Sequence, residues 1–159
     1  MRASMLAAAS LAVISAACQP TAEAEFDPND AEVIAAIEAV LQEAMEGARS
    51  VDADRVLAVA EGEGELTFIT GDVLLAGQDY IRDTFAETYA GLERQDQAII
   101  AKQVRVLSPD VAIIVAVSEG TYTDQAGWTS DPVGMGHTVV LVREDGRWTV
   151  RHVHQSVAP

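Results

Sequence analysis

The chain predicts an α+β domain in which helices gather on one face of a curved antiparallel sheet. Three observations predict it. Apolar residues recur at helical spacing through the first half, long β-rich runs fill the second half, and an Asp-Gly turn joins the last two runs. The predicted order is α-α-β-β-α-β-β-β-β.

Each element has a local reason. Asp27-Pro28-Asn29-Asp30 offers an N-cap, a proline for the first helical position and acids for the first turn. Val33, Ile37, Val40, Leu41, Ala44, Met45 and Ala48 then form one apolar stripe, so the first helix should run to about Arg49. A shorter helix follows over about Asp52 to Ala60 and breaks at Glu61-Gly62-Glu63-Gly64. Leu66–Ile69 and Val73–Leu75 read as short strands around Gly71-Asp72. Gly77–Tyr89 reads as a third helix with Ile81, Phe85 and Tyr89 on one stripe and Gly91 as its stop. Strand-rich segments complete the chain at Ala98–Leu107, Val111–Thr123, His137–Arg143 and Trp148–Ser156. Ser108-Pro109-Asp110 turns the first pair, and a longer connection runs from Gly127-Trp128 to Gly136.

Composition excludes several partners. Arg2 is followed by an apolar run from Met5 to Ala17 and then by Cys18, the only cysteine. Thirteen residues fall short of the roughly 20 that span a bilayer, so the run predicts an export signal over residues 1–17. Without those residues, 25 acids face nine bases, Lys102 being the one lysine. Nucleic acid is a poor partner for such a surface, since phosphate binding needs clustered cations. Anionic lipid would be repelled too, so membrane attachment should come only from a lipid anchor. A single cysteine rules out an intrachain disulfide, and about 130 folded residues suffice to bury a self-supporting core. Residues 18–29 read as a tether and 30–159 as the domain.

Two resemblances sharpen these expectations. Ile-Ser-Ala-Ala-Cys at residues 14–18 resembles the lipobox of bacterial lipoproteins, although Ser15 stands where an aliphatic residue is usual. It implies lipidation of Cys18, and Gln19 resembles the outer-membrane sorting position, facing the periplasm. The alternative is cleavage after Ala17 or Ala24, which leaves a soluble periplasmic or secreted protein. The domain itself resembles the SnoaL-like branch of the nuclear-transport-factor-2-like superfamily. The carriers are the first helical stripe, Gly71–Gly77 leading into Tyr80-Ile81, the Ser108–Ile113 turn and strand, and Asp145-Gly146-Arg147-Trp148 followed by His154-Gln155-Ser156. The resemblance implies a cone with a pocket open at one end, in a superfamily that holds isomerases, dehydratases and binding or dimerisation modules.

Strand alternation places Trp148, Val150, His152, His154 and Ser156 on one face of the last strand, with Thr149, Arg151, Val153 and Gln155 on the other. The first set carries the large aromatic and the superfamily's matching Trp and His-x-Ser positions, so it is expected to face the pocket. His154 and His152 are then the candidate acid–base residues, either catalytic or merely satisfied by hydrogen bonds. Trp148, Val150, Ser156, Tyr89, Thr138 and Trp128 are the candidate pocket residues. Hairpin register decides where His137 falls. A two-residue Asp145-Gly146 loop would set it opposite His154, making a three-histidine metal site possible, whereas a three-residue bulged turn turns it away. The bulged turn is preferred here because it puts Thr138, Val140 and Val142 beside Trp148 and Val150, and no metal or cofactor is then expected. Asp52 and Asp54 with Tyr80, Tyr89 and Tyr122 are weaker candidates for carboxylate–tyrosine isomerase chemistry. Three functions follow: a pocket holding a small, largely apolar or amphipathic ligand; an isomerase, dehydratase or hydrolase using His154 or His152 as base; or a homodimer formed through the convex sheet face.

Overall fold

A computed structural model describes residues 26–62 and 64–158. The expected export signal, Cys18 and most of the tether lie outside the described residues. The elements run α1 (Ala31–Arg49), α2 (Ala53–Ala58), β1 (Thr67–Thr70), β2 (Val73–Ala76), α3 (Gln78–Tyr89), β3 (Leu92–Ser108), β4 (Val111–Asp124), β5 (Val133–Glu144) and β6 (Arg147–Val157). The order is the one read from the sequence, and the α+β cone class holds. No helix among the described residues is long and apolar enough to cross a membrane.

α1 starts later than Pro28 suggested. Its cap is Asp30, whose carboxylate accepts from the backbone N–H groups of Glu32 at 2.8 Å and Val33 at 3.2 Å. Asp27 closes the preceding turn instead, accepting from Asn29 N–H. The predicted stripe packs inward, with Ile37 and Met45 buried and Val33, Val40 and Leu41 against the core. Gly47 lets α2 approach closely, because a Cβ there would fall 2.6 Å from the Val56 backbone nitrogen. Asp52 caps α2 through Arg55 N–H at 2.9 Å.

The six strands form one sheet in the order β2-β1-β6-β5-β4-β3. It is not wholly antiparallel, since β1 joins β6 in parallel register. Side-chain alternation reveals which face a strand buries but not which neighbour it takes, so this pairing was invisible in the sequence. β3 begins at Leu92, well before Ala98. Its early residues Glu93, Arg94 and Asp96 are exposed on an edge strand, where no apolar alternation is required.

The final hairpin departs from expectation twice. Asp145 and Gly146 take φ values of 49° and 80°, and Glu144 pairs with Arg147, so the loop is the tight two-residue turn and not the bulged one. The bulge lies further along. Leu141 pairs with Val150 but Val140 pairs with His152, leaving Arg151 as the extra residue. Its local cause is the chain segment beside it. Val150 N–H donates to the Val59 carbonyl at 2.9 Å, while the Arg151 guanidinium donates to the Ala60 carbonyl at 2.8 Å and pairs with Glu144. Past Arg151 every side chain of β6 changes face.

The core lies between the helices and the sheet, where Ile37, Ile81, Ile114 and Leu141 are fully buried and Trp148 is 8% exposed.

Candidate functional site

Because the sheet curls around the helices without filling the wide end, it encloses a cavity of about 530 Å³. α1 supplies Val40, Leu41 and Met45, and α3 supplies Ile81, Phe85 and Tyr89. The concave wall brings Phe68 from β1, Met135, His137 and Val139 from β5, and Val150, Val153, Gln155 and Val157 from β6. Phe68, Phe85 and Tyr89 stack edge to face at 5.2 and 5.6 Å between centroids.

The Arg151 bulge decides which polar groups enter. Val150 and Tyr89 line the cavity. After the bulge, Val153, Gln155 and Val157 point in while His152, His154 and Ser156 point out, the reverse of uniform alternation. His152 bonds Thr67 Oγ1 through Nδ1 at 2.7 Å on the outer face, and His154 is exposed. Thr138 faces outward beside His154. Trp148 is buried beneath the cavity floor without lining it. Trp128 is 58% exposed and packs edge-on against Tyr122 at the mouth, 5.9 Å between centroids. Of the isomerase candidates, Asp52 caps α2, Asp54 pairs with Arg82 at 3.0 Å, Tyr80 is exposed, and Tyr89 and Tyr122 line the cavity.

The histidine that enters is His137, the one assigned to the other face. Its Nε2 lies 2.7 Å from the fully buried Ser118 hydroxyl. Burial pushes the imidazole below its ordinary pKa of 6.5, so it is neutral at pH 7. His137 and the pair His152 and His154 occupy opposite faces, so the three cannot converge on one ion. Tyr89 is held protonated, burial pushing its pKa up to about 12 against a smaller opposing effect of a hydrogen bond to Gln95. Gln97 donates to Gln95 at 2.7 Å, extending this polar group along β3. No Asp, Glu, Lys or Arg lines the cavity among the described residues. Lys102, in the same register row as His137, is taken up by Glu38 at 2.9 Å. The site can therefore offer hydrogen bonds, and a proton exchanged inside it would pass through a neutral imidazole or phenol.

A curved six-stranded sheet wrapped on helices around an open cavity defines the nuclear-transport-factor-2-like fold. A nuclear transport factor 2-like superfamily protein from Salmonella enterica superposes with a TM-score of 0.72 at 16% identity, covering 80% of this chain and 92% of that one. A ketosteroid isomerase-like protein from Erwinia carotovora gives 0.68 at 22% identity, covering 81% and 99%. The association domain of Caenorhabditis elegans calcium/calmodulin dependent protein kinase II gives 0.64 at 18% identity, covering 82% and 99%. At these identities the likeness speaks to fold alone, and it is at the level of the fold that the resemblance read from the sequence holds. No curated protein matches the chain. Residues 30–159 match the family model of the calcium/calmodulin dependent protein kinase II association domain, and the chain belongs to that family.

Proposed function

We propose that this protein is a binding domain whose cavity holds a small, largely apolar molecule. The observation that carries this reading is an open-ended cavity of about 530 Å³ whose wall is apolar apart from uncharged hydrogen-bonding groups. Extraction of natively purified protein followed by mass spectrometry should release a stoichiometric small molecule. Val153→Trp, which fills the cavity from β6, should abolish its retention. Full retention in that folded variant would refute the reading.

A second reading is self-association through the outer sheet face, favoured by its exposed apolar residues and by the family to which the chain belongs. Val115 and Val117 on β4 are each 47% exposed, and Leu74 on β2 is 62% exposed. Apolar side chains exposed on the outer face suit packing against a second copy of the same face. Sedimentation equilibrium should show a dimer or larger assembly that Val115→Arg dissociates; a wild-type monomer at micromolar concentration would refute it.

The location of the protein belongs to the same proposal. An apolar run ended by a lone cysteine supports export and anchoring by a lipid on Cys18. Cys18→Ala should then move the protein from the membrane fraction to the soluble one. A wild type already soluble in the periplasm would refute lipidation.

A further inference from the structure

The ligand class can be taken further, resting on the cavity reading above. On the concave wall, register sets Thr70 beside Gln155 and Gln155 beside His137, so three neighbouring strands present a polar band at one height. The next row toward the floor is Phe68, Val153 and Val139, and the next toward the mouth is Val157 and Met135. Cross-strand neighbours stand about 5 Å apart, close enough for one ligand atom to meet two of them.

Within the band Gln155 is underused. Its Nε2 donates to the Met135 thioether at 3.2 Å, a weak acceptor. His137 already spends Nε2 on Ser118. A stronger acceptor placed against Gln155 would complete a bond that the protein alone satisfies poorly. Charge narrows the choice. With no ionic side chain on the wall among the described residues and Lys102 committed to Glu38, a buried carboxylate, phosphate or ammonium would have no counter-charge there. An anion would also approach against the chain's net charge of −15.

We propose that the cavity selects an uncharged, apolar molecule carrying a carbonyl oxygen, which Gln155 binds from the Thr70–Gln155–His137 band. Four probes of one shape test this by calorimetry at pH 7.5: naphthalene, its methyl ketone acetylnaphthalene, naphthoate and naphthylmethylammonium. The ketone should bind about threefold or more tighter than naphthalene, and at least about tenfold tighter than either ion. Gln155→Leu, which keeps the shape and removes the amide, should lower ketone affinity to that of naphthalene and leave naphthalene unchanged. Naphthoate or the ammonium matching the ketone overturns the charge selection, and a ketone advantage that survives Gln155→Leu overturns the role of Gln155. If that variant does not fold, the wild-type ranking decides, because a ketone no tighter than naphthalene also overturns the band. Naphthalene failing to bind at all would sink the cavity reading itself, and this inference with it.

Discussion

The two faces of the sheet are built from alternate residues of the same strands, yet they differ in kind. One concave row runs Ala116, His137, Gln155, Thr70; the adjacent convex row runs Val115, Thr138, His154, Ile69, Leu74. The concave row is enclosed and hydrogen-bonding without charge. The convex row exposes apolar side chains and a histidine to solvent. What separates them at β6 is the single extra residue Arg151, so a one-residue bulge determines which histidine belongs to a cavity and which to a surface.

The contrast breaks most sharply under truncation. Leu141 is fully buried on the concave side, and Leu141→Ala should cost about 2–5 kcal/mol in chemical denaturation, transfer and cavity contributions combined. Val117→Ala, the convex control, should stay within about 0.5 kcal/mol in dilute solution. Equal losses would mean that the outer face is covered by something that the fold of one chain does not show.

Next comes the bulge. Arg151→Leu leaves the Ala60 carbonyl and Glu144 without their partner, costing about 1–3 kcal/mol. The same variant reports on face assignment. If the bulge relaxes, His152 and His154 turn inward, and their side-chain NMR shifts move together; a stable variant with unmoved shifts would show that Val150's bond to Val59 holds the bulge alone.

These residues also show what was legible beforehand. The helical stripe, the start of the second helix at Asp52 and the element order follow from local periodicity and turn chemistry, each contained within a few neighbouring residues. The cavity's polar set did not follow. It depends on a bulge held by the Val59 and Ala60 carbonyls, some 90 residues upstream of Arg151, and nothing in the alternation of β6 announces it. The turn was open to a better reading, since Asp-Gly readily takes the two positive φ values seen here. Even so, the correct turn alone would have set His137 opposite His154. Only the turn and the bulge together pair it with Gln155.

His137 provides a pH test of the same division. Burial lowers its pKa in the folded state, so below pH 6.5 the unfolded chain binds the proton more readily than the folded one. Stability is therefore intact above pH 6.5 and declines as pH falls through and below that value. His137→Gln, which preserves a partner for Ser118, should flatten that decline by up to one proton's slope. Identical pH profiles for the two proteins would mean that the imidazole is not desolvated in the cavity.

The smallest effect is predicted at the most conspicuous residue of the sequence. His154 sits two residues from His152 in a strand that ends the domain, the position where uniform alternation would place a catalytic base. Exposed on the convex face beside Thr138 and Ile69, it has neither a cavity to line nor a buried partner to lose. His154→Gln should change stability by less than about 0.5 kcal/mol and leave cavity binding untouched at pH 6 and at pH 7.5. A drop in ligand affinity at either pH, with dimerisation unaltered, would show that the side chain reaches the cavity after all and that the bulge at Arg151 is not its barrier.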